Sequence, residues 1–294
     1  MKKLWDNPLA LLLGTGLGLG FNFPLGKLAL AAGFSAALWA AFISFGAGLA
    51  LFVFSSKSIG QVLSKDIWRF AVISGFLSFV MPNILTYTVI PMIGSGFAGL
   101  MFALSPVTTA VLSFILNVRP PNRLGAAGIA LGLAGAIIVI WGRNGVMGSG
   151  GTTWLALGLL IPCFLGVGNV YRSLAWPKDA GPILLGSLTN LAAVPFLIII
   201  ALTLKGGFNL EPFVNVPWLP IVQLISSTLM FTMFFRLQQI GGPTYLSQIG
   251  YVAAAVSLAA GIAFLGESYP IAVWLGAGVI AAGIALSTYS TRRP

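Results

Sequence analysis

The sequence predicts an all-α membrane protein: ten transmembrane helices arranged as two inverted five-helix repeats. Three observations predict it. Of 294 residues, 58% are hydrophobic and only 7% are charged, against about 25% charged in a soluble globular chain. Apolar stretches of spanning length recur along the whole chain, and no hydrophilic stretch between them could fold as a separate soluble domain. The second half also echoes the first at a fixed offset.

A spanning helix needs about 20 largely apolar residues. With Gly, Pro and charge clusters as punctuation, the spans run roughly 8–31, 34–55, 69–91, 94–117, 123–142, 154–175, 181–204, 218–239, 243–266 and 270–290. Span one follows Lys2 and Lys3 and stays apolar through Leu30. That is longer than the ~7–15-residue core of a signal peptide, so it is read as an uncleaved helix. Its Gly16-Leu-Gly18-Leu-Gly20 has no preceding strand, so a phosphate-loop reading fails its context test. Gly14, Gly16, Gly18 and Gly20, like Gly128 and Gly132 of span five, are read as small faces for close helix contact. Span one carries Asn22; span two adds no polar face.

Span three carries Asn83, Thr86 and Tyr87, spaced i, i+3, i+4 on one helix face. Span four carries Met101, Ser105, Thr108 and Thr109, again on one face. Span five is almost free of polar residues. Span six holds Asn169 and Arg172. Span seven holds Ser187 and Asn190, read as interhelical hydrogen bonds. Span eight has Gln223, Ser226, Ser227 and Thr232. Span nine has Tyr245, Gln248 and Tyr251, and span ten has no polar residue until Ser287.

Lys and Arg set the orientation. Lys2, Lys3, Lys57, Lys65, Arg69, Arg119, Arg123, Arg172, Lys178, Arg236, Arg292 and Arg293 fall on the side of the termini; Lys27, Arg143 and Lys205 fall on the other. The positive-inside rule makes the termini cytoplasmic. The eight tryptophans lie near span ends and are read as an interfacial belt. Lys27, Arg172 and Arg236 sit near helix ends and are read as snorkelling, and Glu267 as a helix terminus. Asp and Glu are missing from the middle of every span, and histidine is absent from the chain. With a single cysteine, Cys163, and no histidine, the sequence offers no metal site, Ser-His-Asp triad or internal disulfide. The net charge of +10 is loop charge on a membrane protein, with no nucleic-acid partner expected.

The repeat appears when the chain is shifted by 148 residues. Arg119–Ala136 then overlays Glu267–Ile284, Gly128 falls on Gly276 and Gly135 on Gly283. Asn22 and Asn169 lie at similar depths in the first helix of each half. Residues 1–145 and 146–294 form the two copies. Five is odd, so the second copy enters the membrane from the opposite side. Inverted repeats with a midplane site between them are a transporter architecture.

Several motifs carry a resemblance. Gly20-Phe21-Asn22-Phe23-Pro24-Leu25-Gly26-Lys27 is similar to the W-G-x-N-x…K pattern of the drug/metabolite transporter superfamily, in its ten-helix EamA-like branch. Leu104-Ser105-Pro106 resembles that family's L-x-P segment, and Gly266-Glu267 its G-E. Val118-Arg119 departs from the G-E usual in the first half. Among members the chain looks most like the aromatic amino-acid exporters. The resemblance implies a bacterial inner-membrane location.

Polar faces gather on spans one, three, four, six, eight and nine. They predict a central cavity whose substrate-binding candidates are Asn22, Asn83, Tyr87, Met101, Ser105, Asn169, Ser227, Gln248 and Tyr251. Spans five and ten form an outer scaffold against lipid or a second protomer. Pro24, Pro82, Pro106, Pro162 and Pro195 interrupt spans and supply kinks or free carbonyls. The expected function is export of small organic solutes, amino acids including aromatic ones, by alternating access, with no cofactor and no obligatory ion coupling. The rivals are a nucleotide-sugar-like or multidrug carrier, an ion channel and a membrane-embedded enzyme. The first wants Lys or Arg deep in the cavity, the second repeated filter motifs, and the last a catalytic constellation.

Overall fold

The computed structural model describes residues 5–55, 64–118, 122–144, 151–203 and 207–291. Lys2, Lys3, Lys57, Arg119, Lys205, Arg292, Arg293 and the side chain of Arg143 lie outside the described residues. Among the described residues the chain forms ten apolar helices: α1 (Pro8–Ala31), α2 (Ala36–Phe54), α3 (Lys65–Ile93), α4 (Ser95–Ile115), α5 (Arg123–Asn144), α6 (Gly151–Leu174), α7 (Pro182–Thr203), α8 (Trp218–Ser247), α9 (Ile249–Leu265) and α10 (Ile271–Thr291). A short helix, Glu211–Asn215, lies between α7 and α8.

Local chemistry fixes the ends. Asn7 Oδ1 accepts from the Leu9 and Ala10 amides at 3.0 and 3.3 Å, and Pro8 opens α1 where no N–H is needed. Ser35 and Asn122 cap α2 and α5 in the same way. Gly94 (φ 83) turns α3 into α4, and Gly242 (φ 72) turns α8 into the start of the ninth span. The two glycines stand at the same 148-residue offset as the repeat, and both hold a left-handed φ that a side chain would strain.

Exchanging the halves pairs α1 with α6, α2 with α7, α3 with α8, α4 with α9 and α5 with α10. The packing pattern survives that exchange. The pair α1–α9 becomes α6–α4, α1–α8 becomes α6–α3, and α2–α8 becomes α7–α3; all six pairs are present. The self-paired contacts α2–α7, α4–α9 and α5–α10 are present as well. The fold is therefore two inverted five-helix repeats around a pseudo-two-fold axis.

Two helices depart from straight spans. In α3 a π-helical turn covers Phe76–Val80, with the Met81 amide reaching back to Phe76 O. In α4 the helix breaks between Phe102 and Ser105. Pro106 has no N–H to give Phe102 O, four residues earlier. That freed carbonyl faces Gly250, where a Cβ would lie 2.3 Å from it. So the interruption expected at Pro106 is a full break in helix four, and it admits the close approach of the ninth span.

The tryptophan reading needs one correction. Trp39 is fully buried and stacks on Phe42 at 5.6 Å. It belongs to an aromatic cluster with Phe34 and Phe213, so it packs the interior and is no interfacial anchor. Ser187 does bond across helices, to Gly48 O at 2.8 Å, whereas Asn190 donates to Gly186 O in its own helix.

Candidate functional site

A cavity lies between the halves. Its polar lining comes from Asn22 of α1, Ser78, Asn83 and Tyr87 of α3, Ser105 of α4, Asn169 of α6 and Ser247 at the end of α8. Its apolar lining includes Phe79, Phe102, Met230, Phe231 and Phe234, with Ile249 and Gly250 of α9 and Ile43 of α2. No residue of α5, α7 or α10 reaches it among those described. The aromatic walls interlock edge to face: Phe23 on Phe102 at 4.9 Å, and Phe79 on Phe231 at 4.8 Å. The cavity measures about 60 Å³, room for a few waters and well below the ~300–1,000 Å³ of a ligand pocket.

Of the nine candidate binding residues, Asn22, Asn83, Tyr87, Ser105 and Asn169 line this cavity. Gln223 Nε2 donates to Asn22 Oδ1 at 2.9 Å, tying α1 to α8. Tyr87 fits against α1 because Gly26 has no side chain; a Cβ there would lie 2.4 Å from the ring. The other four lie away from the cavity. Met101 packs towards Gly158, and Ser227 donates to Gln223 O in its own helix. Gln248 is buried where the ninth span breaks. Tyr251 points at Gly132 of α5, and its buried hydroxyl has no hydrogen-bond partner among the described residues.

On the face opposite the termini, a latch joins three helices. Lys27 Nζ lies 2.5 Å from Glu267 Oε1. The same oxygen accepts from the Ser95 amide at 2.9 Å and from Ser95 Oγ at 3.0 Å. Glu267 Oε2 accepts from the Gly96 amide at 3.3 Å and from the Tyr269 hydroxyl. The carboxylate thus sits on the first amides of α4, where the helix dipole favours an anion. Burial pushes the Glu267 carboxyl up, but the Lys27 ammonium, the Tyr269 hydroxyl and the Ser95 and Gly96 amides outweigh it and pull it down to about 2. Glu267 is therefore more than a helix terminus: α9 ends at Gly266 (φ 61), and the next side chain crosses to α1 and α4.

On the side of the termini, a vestibule of about 520 Å³ opens beside Ser173, Trp176, Lys178 and Gln238. Between vestibule and cavity stands Arg172, which is fully buried. It does not snorkel. Arg172 Nε donates to Gln238 Oε1 at 3.3 Å, Nη2 to Asn169 Oδ1 at 2.5 Å, and Nη1 to Ser78 Oγ. The Phe234 ring covers the guanidinium carbon at 4.9 Å. The cluster bridges α6, α3 and α8, and the π-helical turn of α3 is what presents Ser78 to it. Ser78, Phe234 and Gln238 carry no sequence signal of this role; a cation in a span with few charges was the one signal for Arg172.

A helical bundle of two equivalent halves, with an apolar-walled cavity between them that carries a few polar side chains, is an architecture of membrane transporters. The chain belongs to the EamA-like transporter family, whose model matches residues 7–141 and again 152–289. That double match is consistent with the drug/metabolite transporter superfamily and with one family unit per half. In all, 28 chains of known structure match. One, a crystal structure described only as that of a protein, covers 96% of this chain and 97% of that one at TM-score 0.67 and 18% identity. That likeness carries the fold alone. No curated protein sequence matches.

Proposed function

We propose that the protein exports amino acids, aromatic ones included, by alternating access, with both termini in the cytoplasm of a bacterial inner membrane. The observation that carries the reading is the cavity itself: amide side chains of Asn22, Asn83 and Asn169 facing aromatic walls, with no carboxylate in the lining. Amide oxygens suit an ammonium group, and Phe79, Phe102, Phe231 and Phe234 suit an apolar or aromatic side chain. In this orientation the vestibule faces the cytoplasm and the Lys27–Glu267 latch closes the external side. Substrate then enters from within, past Arg172, and leaves when the latch opens.

Counterflow of labelled phenylalanine into proteoliposomes preloaded with unlabelled phenylalanine tests this directly. Accumulation of label is the expected result; its absence across a panel of amino acids would end the reading. A second reading, a carrier of phosphate esters or nucleotide sugars, is favoured by one observation. Such a carrier wants a cation at depth, and Arg172 is one.

A further inference from the structure

Arg172 is a buried cation whose bonded partners are all neutral. Among the described residues, Asn169, Ser78 and Gln238 supply one acceptor each, to three of its five N–H donors. Lys27–Glu267 and Arg236–Asp6 form ion pairs, and neither involves it. Burying an ion costs several kcal/mol unless an opposite charge offsets it. A helix tie of the same span could be built from Gln at lower cost, so the charge itself calls for an explanation. Two of its three bonded partners, Ser78 and Asn169, also line the cavity, as does Phe234. The guanidinium is therefore one side chain away from the space a substrate occupies. The position has no cation as its counterpart in the other half: at the 148-residue offset of the repeat Pro24 stands where Arg172 does, and Leu25 follows Asn22 at the spacing by which Arg172 follows Asn169.

We propose that Arg172 is the counter-charge for an oxyanion carried by the transported solute. The anion displaces Asn169 Oδ1 and Ser78 Oγ from Nη2 and Nη1 and takes a two-pronged, charge-assisted bond in their place. Asn169 keeps Thr109, to whose Oγ1 its Nδ2 donates at 3.2 Å. Loosening the tie between α6 and α3 on substrate binding couples occupancy to movement of the halves. The inference rests on the transport reading, and within it the oxyanion is the amino-acid carboxylate.

The test uses the purified full chain and three probes that share a phenyl ring: 3-phenylpropionate, phenyl phosphate and phenethylamine, with binding followed by thermal stabilisation. 3-Phenylpropionate is expected to bind more tightly than phenethylamine. Arg172→Gln weakens anion binding by about tenfold or more, the loss typical of a charge-assisted hydrogen bond. Arg172→Lys keeps the preference for anions with lower affinity. A role in structure alone would lower the melting temperature of the empty protein and leave the ranking of the probes unchanged. Equal binding of phenethylamine, or binding of neither anion, overturns the proposal on the wild-type protein, whether or not the variants fold. Anion affinity unchanged in Arg172→Gln also overturns it. Binding of phenyl phosphate alone upholds Arg172 and removes the amino-acid reading. Phenylalanine counterflow at the wild-type KM in Arg172→Gln removes Arg172 and keeps that reading.

Discussion

Gly135 of α5 and Gly283 of α10 make the same contact from opposite sides. A Cβ on Gly135 would lie 2.7 Å from Gly276 O and from Ile280 N. A Cβ on Gly283 would lie 2.5 Å from Gly128 O and 2.6 Å from Gly132 N. Every one of these pairs, 135 with 283, 128 with 276 and 132 with 280, is separated by 148 residues. The two helices therefore touch backbone to backbone across the pseudo-two-fold axis, and a methyl group at either glycine must push them apart. Gly135→Ala and Gly283→Ala are each expected to destabilise the protein by about 1–3 kcal/mol, the usual cost of overpacking. A lowered melting temperature in detergent checks this. Leu133→Phe, on the exposed side of α5, is expected to leave both stability and transport unchanged.

That glycine pattern was legible in the sequence, and so were the ten spans, because both are repeated in one dimension. Asn22, Asn83, Tyr87, Ser105 and Asn169 were legible as cavity residues because a polar group in an apolar span must face something polar. Met101, Ser227 and Tyr251 were not separable from them. Each residue turns a helix by about 100°, so a small error in which face points inward redirects a side chain. Arg172 lies close to the end of α6, and depth along a helix does not reveal which way a long side chain runs. The π-helical turn that offers it Ser78 has no signature in the local sequence. The latch was hidden for a different reason: Lys27 and Glu267 are 240 residues apart.

Breaking the latch is expected to release the face opposite the termini. In a Cys163→Ser background, Thr86→Cys reports on that side, because Thr86 is buried two turns from the end of α3. Adding Glu267→Gln removes the Lys27 pairing and weakens the bonds from Ser95, Gly96 and Tyr269. Labelling of Cys by a membrane-impermeant maleimide should accelerate by about 3–10-fold, in keeping with a partly exposed ion pair supported by charge-assisted bonds. An unchanged rate would show that the latch does not hold the closed state.

The latch also has a pH window. The Glu267 carboxyl is lowered from 4.5 to about 2 in the latched state. A group whose pKa is depressed by its surroundings stabilises the state that depresses it, fully so above its free value. The stabilisation fades as pH falls from about 4.5 towards 2 and is constant from pH 6 to 8. Opening of the latch is therefore expected to be flat near neutrality. Opening should rise below pH 4.5 in the wild type and stay level in Glu267→Gln, with site opening at low pH read by tryptophan fluorescence, because maleimide chemistry itself changes with pH.

Gly168 gives a route to the cavity floor that leaves Arg172 in place. A Cβ there would lie 2.1 Å from Ser78 Oγ and 3.5 Å from Arg172 Nη1. Gly168→Ala is expected to displace Ser78 from the guanidinium and to reduce transport several-fold, with a loss of stability of roughly 1–3 kcal/mol. Paired measurements of melting temperature and counterflow check it. If transport falls only in proportion to folded protein, the Ser78–Arg172 bond has no part in the cycle.

Coupling to a proton or sodium gradient needs a site whose affinity for the ion differs between the two conformations. In membrane transporters such a site is usually a carboxylate or histidine at depth. The chain has no histidine and five acidic residues, Asp6, Asp66, Asp179, Glu211 and Glu267. None of the five lines the central cavity. In the latched state the Lys27 ammonium, the Tyr269 hydroxyl and the Ser95 and Gly96 amides outweigh burial and hold Glu267 ionised. Backbone carbonyls freed by the break in α4 could serve sodium, but Phe102 O is covered by Gly250. The protein is therefore expected to equilibrate its substrate, by facilitated diffusion or exchange. Proteoliposome uptake with an imposed pH or sodium gradient, at clamped membrane potential, should reach the same end point as uptake without one. Concentrative accumulation driven by either gradient would contradict this. Its loss in Glu267→Gln would then assign the coupling to the latch carboxylate.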